Sequence, residues 1–351
     1  MSQSIVDRLR PHIRQSLKAF RHSALKLLPH EPAELTARYL QGDRLPPEAI
    51  GEPQSMLKPA GGFVKEFSGD LTIEPASRAL MRGRTRLIGS SDLIGREREP
   101  SVRAYTVPVG AIYPALWNIR GAYENNYYHF VWDTVLSYRH GRSFIPSGTP
   151  IVIGEVLARQ PFFQDARRIG FMKDETLIVQ TARQPLRAER VYVCAPPYPS
   201  RADLMAVAAQ FQQPPRDGPR RVYIRRGPQS NNGRTIRNDA EVMGLLNRNG
   251  FAAVDPQTLT FEQQIALFQN AEAVVSPHGA GVVNIIWRGG KPLHVIELMN
   301  PTFNVDCYEQ MAKILGFGYT RLMNLETKGS RFRGSSVVDL DALERAVAVL
   351  C

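Results

Sequence analysis

The chain has 351 residues, more than one ordinary hydrophobic core organises, so two domains are expected. Hydrophobic residues at 43% and charged residues at 22% match soluble globular chains, which excludes a wholly disordered or low-complexity protein. A formal charge of +11 favours an anionic partner: nucleic acid, a phosphorylated donor or an anionic lipid surface. No apolar run approaches the roughly 18 residues of a membrane span, and the start of the sequence lacks the apolar segment and small-residue cleavage site of a signal peptide. Cys194, Cys307 and Cys351 are scattered, without metal-ligand spacing, so neither a disulfide framework nor a zinc site is expected. A reducing cytoplasm fits best.

Residues 1–62 form a basic preface. After Pro11, the apolar Ile13, Leu17, Phe20, Ala24 and Leu27 recur at helical spacing, with Arg14, Lys18, Arg21 and Lys26 between them. The resulting amphipathic helix suits either docking on the protein's own body or an anionic membrane surface. Residues 45–62 are rich in Pro and Gly and read as a surface connection. Short strands are expected around Phe63–Phe67, Ala104–Val109, Ile151–Ile153 and Val191–Cys194. The Pro, Gly and charge of residues 210–221 mark a linker, giving domains over 63–215 and 216–351. In the second, strands at Val222–Ile224, Phe251–Val254, Ala273–Val275 and His294–Leu298 alternate with helices that turn Val242, Leu245 and Leu246, then Phe261, Ile265 and Phe268, inward. This alternation predicts a parallel sheet in an α/β fold, with ligands beyond the carboxyl ends of its strands.

The turn AVVSPHGAGVVNIIW, residues 273–287, sends a strand through Ser276, His278, Gly279, Ala280 and Gly281 into a helix. Its glycines let backbone approach a ligand, the helix start attracts an anion, and His278 adds a donor for a diphosphate. As a simple packing turn it needs no ligand. The dinucleotide fingerprint is incomplete because Asn284 stands at the third glycine's place, so a nicotinamide cofactor is disfavoured and no cofactor is expected. Arg225 and Arg226 leave the strand at 222, followed by Arg234, Arg237 and a cap at Asn238 or Asp239. Their planar forks suit phosphate oxygens, although a solvated basic loop is the commoner fate of a charge run. Glu297, an acid at an apolar strand's end, is placed to accept hydrogen bonds from ribose hydroxyls. In NNYYHFVWDTV, Asn125 or Asn126 caps a helix that sets His129 and Asp133 four apart on one face, a base and its orienter or a structural pair.

Several blocks, NYYHF at 126–130, YIRR with Arg234 and Asn238-Asp239, FEQQIALFQNA at 261–271, SPHGAGVVN at 276–284 and VIEL at 295–298, together resemble glycosyltransferase family 61. The resemblance covers about residues 120–300. It departs from the family's usual strand at Arg225, where a small residue is commoner. It implies a GT-B architecture, two Rossmann-like domains facing a cleft, with the sugar nucleotide on the C-terminal one and the acceptor on the N-terminal one. It implies inversion without an essential metal. The sequence's only Asp-x-Asp, Asp339-Leu340-Asp341, opens a terminal helix, and its acids suit capping better than metal binding.

The expected function is therefore a cytoplasmic transferase, peripheral at the inner membrane face, that moves a sugar from a UDP-linked donor to a surface or capsular glycan or a lipid-linked acceptor. His129 is the first choice of base and Asp133 the second; Arg225, Arg226, Arg234, Ser276, His278, Gly279, Ala280, Gly281, Asn284 and Glu297 form the donor set. The rivals are a noncatalytic binder of anionic polymer and a nucleotide-sugar epimerase or hydrolase on the same fold. Nucleic-acid binding is disfavoured because no RRM, KH or zinc-finger pattern accompanies the basic runs.

Overall fold

The computed structural model describes residues 30–32, 37–39, 63–76, 78–82, 85–88, 110–121, 123–195, 198–226, 234–301, 305–330 and 333–350. The basic helix expected near residues 13–27, the connection at 45–62 and the strand at 104–109 lie outside them. Two sheets organise the chain. The first has ten strands: β1 (His30–Pro32), β2 (Ala37–Tyr39), β3 (Phe63–Ile73), β4 (Leu80–Arg82), β5 (Thr85–Ile88), β6 (Ile112–Tyr113), β7 (Leu116–Asn118), β8 (Ile151–Gly154), β9 (Leu177–Gln180) and β10 (Leu186–Ala195). Their main order is β1-β5-β4-β3-β10-β7-β8-β9, with β2 beside β3 and β6 beside β10.

This sheet is mixed, where the family resemblance implied a Rossmann-like domain. β10, β7, β8 and β9 run parallel, but β10 also pairs antiparallel with β3 along most of its length, and β3, β4 and β5 continue as an antiparallel meander. The strands were foreseen at 63–67 and 191–194, but their length was not: each runs on through polar residues that a periodicity reading truncates. Phe67, Leu71, Leu80, Leu116, Val152, Val191 and Val193 bury one face of this sheet.

The second sheet matches the alternating pattern. It is wholly parallel, with β11 (Arg221–Ile224), β12 (Ala252–Val254), β13 (Ala273–Pro277), β14 (His294–Met299) and β15 (Gly318–Met323) in the order β12-β11-β13-β14-β15. The antiparallel ribbon β16 (Glu326–Ser330) and β17 (Arg333–Val337) follows. Helices cover both faces, which is why β13 is buried at every position. Helix Phe261–Asn270 begins in a capping box of Thr260 and Gln263, and helix Cys307–Leu315 stops at Gly316 in the left-handed region, φ 76°. Leu340–Ala348 is capped by Asp339, which accepts from the Ala342 amide. The short helix expected from Val282 is a 3-10 helix that begins earlier, at Ala280, and runs to Arg288. Asn238 precedes helix Asp239–Arg248 but spends its carboxamide on the Val338 backbone, and Asp239 takes the Tyr223 hydroxyl and Arg225.

The two sheets are joined by one continuous apolar core. Trp117, Phe130, Phe163 and Phe171 from the first half run into Phe211, then Phe261 and Trp287 from the second, through edge-on ring contacts. Asn284 fastens this seam. Its side-chain oxygen accepts from Tyr127 Oη at 2.7 Å and Trp287 Nε1 at 2.8 Å, and its amide donates to Gln264 Oε1 at 3.0 Å, all without solvent access at Asn284. Asn284 was expected to touch the donor; instead its polar atoms are consumed within the protein. Asn284→Ala leaves the Tyr127 hydroxyl proton and Gln264 Oε1 without their acceptor and donor and Trp287 Nε1 with only its long bond to Tyr127, so equilibrium denaturation should show a loss of about 2 kcal/mol or more, at about 1–3 kcal/mol for each unpaired group. A loss below about 1 kcal/mol would contradict this account of the seam.

Candidate active site

In a parallel sheet with this strand order the ligand crevice opens where the chain's first strand is flanked on its two sides by the next two, here between β11 and β13. Arg225 and Arg226 follow the carboxyl end of β11, and His278 and Gly279 follow that of β13. The sequence thus delivers two of its expected clusters to the same crevice from strands about 50 residues apart.

The two arginines diverge. Arg225 is exposed and its Nε pairs with Asp239 Oδ2 at 2.6 Å, which raises its pKa and turns it toward the start of helix Asp239–Arg248. Arg226 points inward. Among the described residues its only hydrogen bond is a long one, 3.4 Å from Nη1 to the Arg234 carbonyl. Burial, and then the neighbouring Arg234 guanidinium, push its pKa down to about 10; burial lowers that of Arg234 as well. Both therefore remain cationic at neutral pH, crowded together in a poorly solvated place.

Gly279 is needed for space. Its backbone is extended, φ 172°, which any residue adopts, but a Cβ there would lie 2.8 Å from Arg226 Nη2. His278 is 8% exposed, and its Nδ1 lies 2.6 Å from Glu297 Oε1. The other oxygen of Glu297 accepts from the Tyr319 hydroxyl, and the carboxylate has no solvent access. Where ribose was the expected partner of Glu297, both of its oxygens are engaged by protein groups and its surface is covered, so in this arrangement it holds His278. Ser276 is likewise buried and donates to the Pro277 carbonyl. Ala280 packs against the shared core and Gly281 lies over Ile224, leaving His278 and Gly279 as the part of the turn nearest Arg226.

On the other side, Asn126 caps the short helix Tyr127–His129 by accepting from the Tyr128 amide. The helix widens into a π-helical stretch, Phe130–Val135, a rare geometry often found at functional sites, where a regular helix was expected. His129 Nδ1 and Asp133 Oδ2 stand 2.6 Å apart, with the two side chains 21% and 25% exposed, and the Tyr123 ring stacks on His129 at 4.6 Å. Tyr308, from the first turn of helix Cys307–Leu315, joins the two sides: its ring lies 5.2 Å from His278 and 5.5 Å from Tyr128, the residue beside His129. Burial, then nearby Cys307, push its phenol pKa far up, so the hydroxyl keeps its proton. Tyr308 belongs to no motif read in the sequence; only its position after the β14 loop could have marked it.

The family model of glycosyltransferase 61 matches residues 127–303, which contain His129, Asp133, Arg226, Arg234 and the His278 turn. The chain belongs to glycosyltransferase family 61. It is therefore a glycosyltransferase, and membership implies in general a nucleotide-sugar donor and a glycan acceptor; the noncatalytic and epimerase readings lose ground. No curated protein matches the sequence. Among the described residues no helix is long and apolar enough to cross a membrane.

Because a guanidinium is the mobile end of a long side chain, Gly279→Ala should displace Arg226 at little cost to the fold. A crystal structure of the variant should show the guanidinium moved, with the unfolding free energy within about 1 kcal/mol of the parent. An unmoved Arg226 would show that the glycine serves another purpose.

Proposed function

We propose that the enzyme transfers a sugar from a UDP-linked donor to a surface or capsular glycan, with inversion and without an essential metal. The observation that carries the donor assignment is the pair Arg226 and Arg234, two cations held close in a low-solvent crevice beside His278. A diphosphate there would relieve their mutual repulsion and accept their donors. Within the family, the reading divides the labour as in a GT-B enzyme: residues 63–215 face the acceptor and 216–351 hold the nucleotide.

The acceptor hydroxyl attacks the anomeric carbon from the face opposite the diphosphate, a new C–O bond forms, and the bond to the leaving phosphate oxygen breaks. Charge developing on the diphosphate is met by Arg226, Arg234 and His278, fixed donors that need little reorganisation. The hydroxyl proton passes to His129, whose ring Asp133 orients through the 2.6 Å contact; the same geometry allows Asp133 to take the proton itself. Arg225, committed to Asp239, contributes field more than contact. The basic spacing of residues 13–27 supports a role at the anionic inner face of a membrane, where a lipid-linked acceptor resides.

Calorimetry with UDP tests the donor site. His278→Ala should weaken binding about tenfold or more while the protein stays folded, and binding and turnover should survive EDTA. Unchanged affinity would remove the turn from the site, and activity restored only by manganese or magnesium would assign charge neutralisation to a metal.

The proton acceptor is separable by turnover. His129→Ala should lower kcat about a hundredfold or more with UDP affinity held, and comparison with Asp133→Asn marks the base by the larger defect. Near-normal turnover in both, at saturating acceptor, would make the pair structural.

A further inference from the structure

Beside the crevice, beyond the ends of β13, β14 and β15, lies a narrow pocket lined by Arg234, His278, Asn300, Asn324 and Ser336, with Pro277 and Leu298 at its apolar wall. Asn324 is 3% exposed and lines this pocket with half of its carboxamide unused. Nδ2 donates to Ser336 Oγ at 2.7 Å, while Oδ1, covered from solvent, has no hydrogen-bond partner among the described residues. A buried amide atom left unpaired is costly, which marks it as awaiting a ligand or a water. The pocket has room for about one water. That is also the room needed by one hydroxyl group, which can donate to Oδ1 or, with the carboxamide turned so that Ser336 donates to it, accept from Nδ2.

We infer that this pocket is a hydroxyl-recognition subsite for the carbohydrate part of the donor, with Asn324 as the reading residue. The inference rests on the donor assignment above, because Arg234 and His278 are shared by the pocket and the proposed diphosphate site. A diphosphate held by these two brings a sugar ring on either side of it within reach: the ribose of the nucleotide or the sugar to be transferred. Both present secondary hydroxyls, and an apolar wall with a polar floor suits the edge of such a ring. Among the described residues, none from the first sheet's half lines the pocket. It therefore bears on which donor is accepted, and leaves the acceptor to the other side of the crevice.

Calorimetry with inorganic pyrophosphate, UDP, UDP-glucose, UDP-N-acetylglucosamine and UDP-xylose, on the parent and on Asn324→Leu, tests this. Pyrophosphate affinity should be unchanged by the substitution. A ten- to hundredfold loss for UDP and all UDP-sugars alike would assign the hydroxyl to ribose, and a loss confined to the UDP-sugars would assign it to the transferred sugar. Unchanged affinity for every ligand would make the pocket a water site and overturn the inference, as would an equal loss for pyrophosphate, which would show collapse of the phosphate site. Failure of the parent to bind pyrophosphate or UDP would instead bring down the donor assignment on which the pocket depends. If the variant does not fold, the parent decides with 2′-deoxy-UDP, 3′-deoxy-UDP and the monodeoxy analogues of UDP-glucose: one should bind at least tenfold more weakly than its hydroxylated counterpart, and equal affinity throughout would overturn the subsite.

Discussion

A carboxylate with no access to water, at the end of a strand covered on both faces, has to be satisfied by its neighbours, and much of the site follows from how Glu297 is satisfied. Parallel pairing brings Ser276 of β13 and Arg321 of β15 level with Glu297 on β14. The chain leaving β13 then puts His278 against one carboxylate oxygen, and Tyr319 on β15 supplies the other. Three adjacent strands are thereby tied together at the edge of the crevice, and His278 is held where a loop residue alone would be free to swing. The ring's position is a property of sheet register, not of the turn in which it sits.

That fixed ring limits what Gly279 can be. With His278 anchored toward β14, the next residue passes directly under Arg226 from β11, and a side chain there would occupy the guanidinium's place. The turn SPHGAG therefore works by division. Ser276 and Ala280 are structural, His278 is polar and braced, and Gly279 is empty space that Arg226 fills. Such a cluster of cations is destabilising in isolation, since burial and mutual repulsion both push Arg226 down.

The second sheet was legible because its strands are short, buried on both faces and separated by helices with clear inward stripes, so that composition and period agree. The first sheet was legible only in part: segments at 63–67, 151–153 and 191–194 were read, but β3 and β10 run on through polar residues such as Ser68, Asp70, Arg187 and Arg190, and their antiparallel pairing depends on partners about 110 to 130 residues away. Among the candidate site residues, the contact of His129 with Asp133 and the turn at His278 and Gly279 were legible because each lies within one local motif. For Glu297 and Asn284 the sequence left the protein partners unread, for a common reason. A polar residue in an apolar run signals that it has a partner, but the identity of that partner is tertiary; here it is His278 and Tyr319 in one case, Tyr127 and Trp287 in the other. Asn324 and Tyr308 carry no local signal at all.

The seam between the two halves bears on how a donor and an acceptor meet. Two lobes joined only by a linker could approach and part freely, but here Phe130, Phe211, Phe261 and Trp287 form one packed run, closed by the Asn284 hydrogen bonds. Interiors packed at this density shift between discrete arrangements and resist continuous bending. Tyr128 and His129 follow directly from Tyr127, which is bound into the seam, so the candidate base is registered against the donor side by the same contacts that hold the halves together. Helix Cys307–Leu315 packs into the same core through Tyr308, Met311, Ala312 and Leu315, and its Tyr308 ring touches both His278 and Tyr128. A packed seam with the Tyr308 ring across it would hold the proposed base at a set distance from the proposed diphosphate site, as the direct displacement proposed above requires.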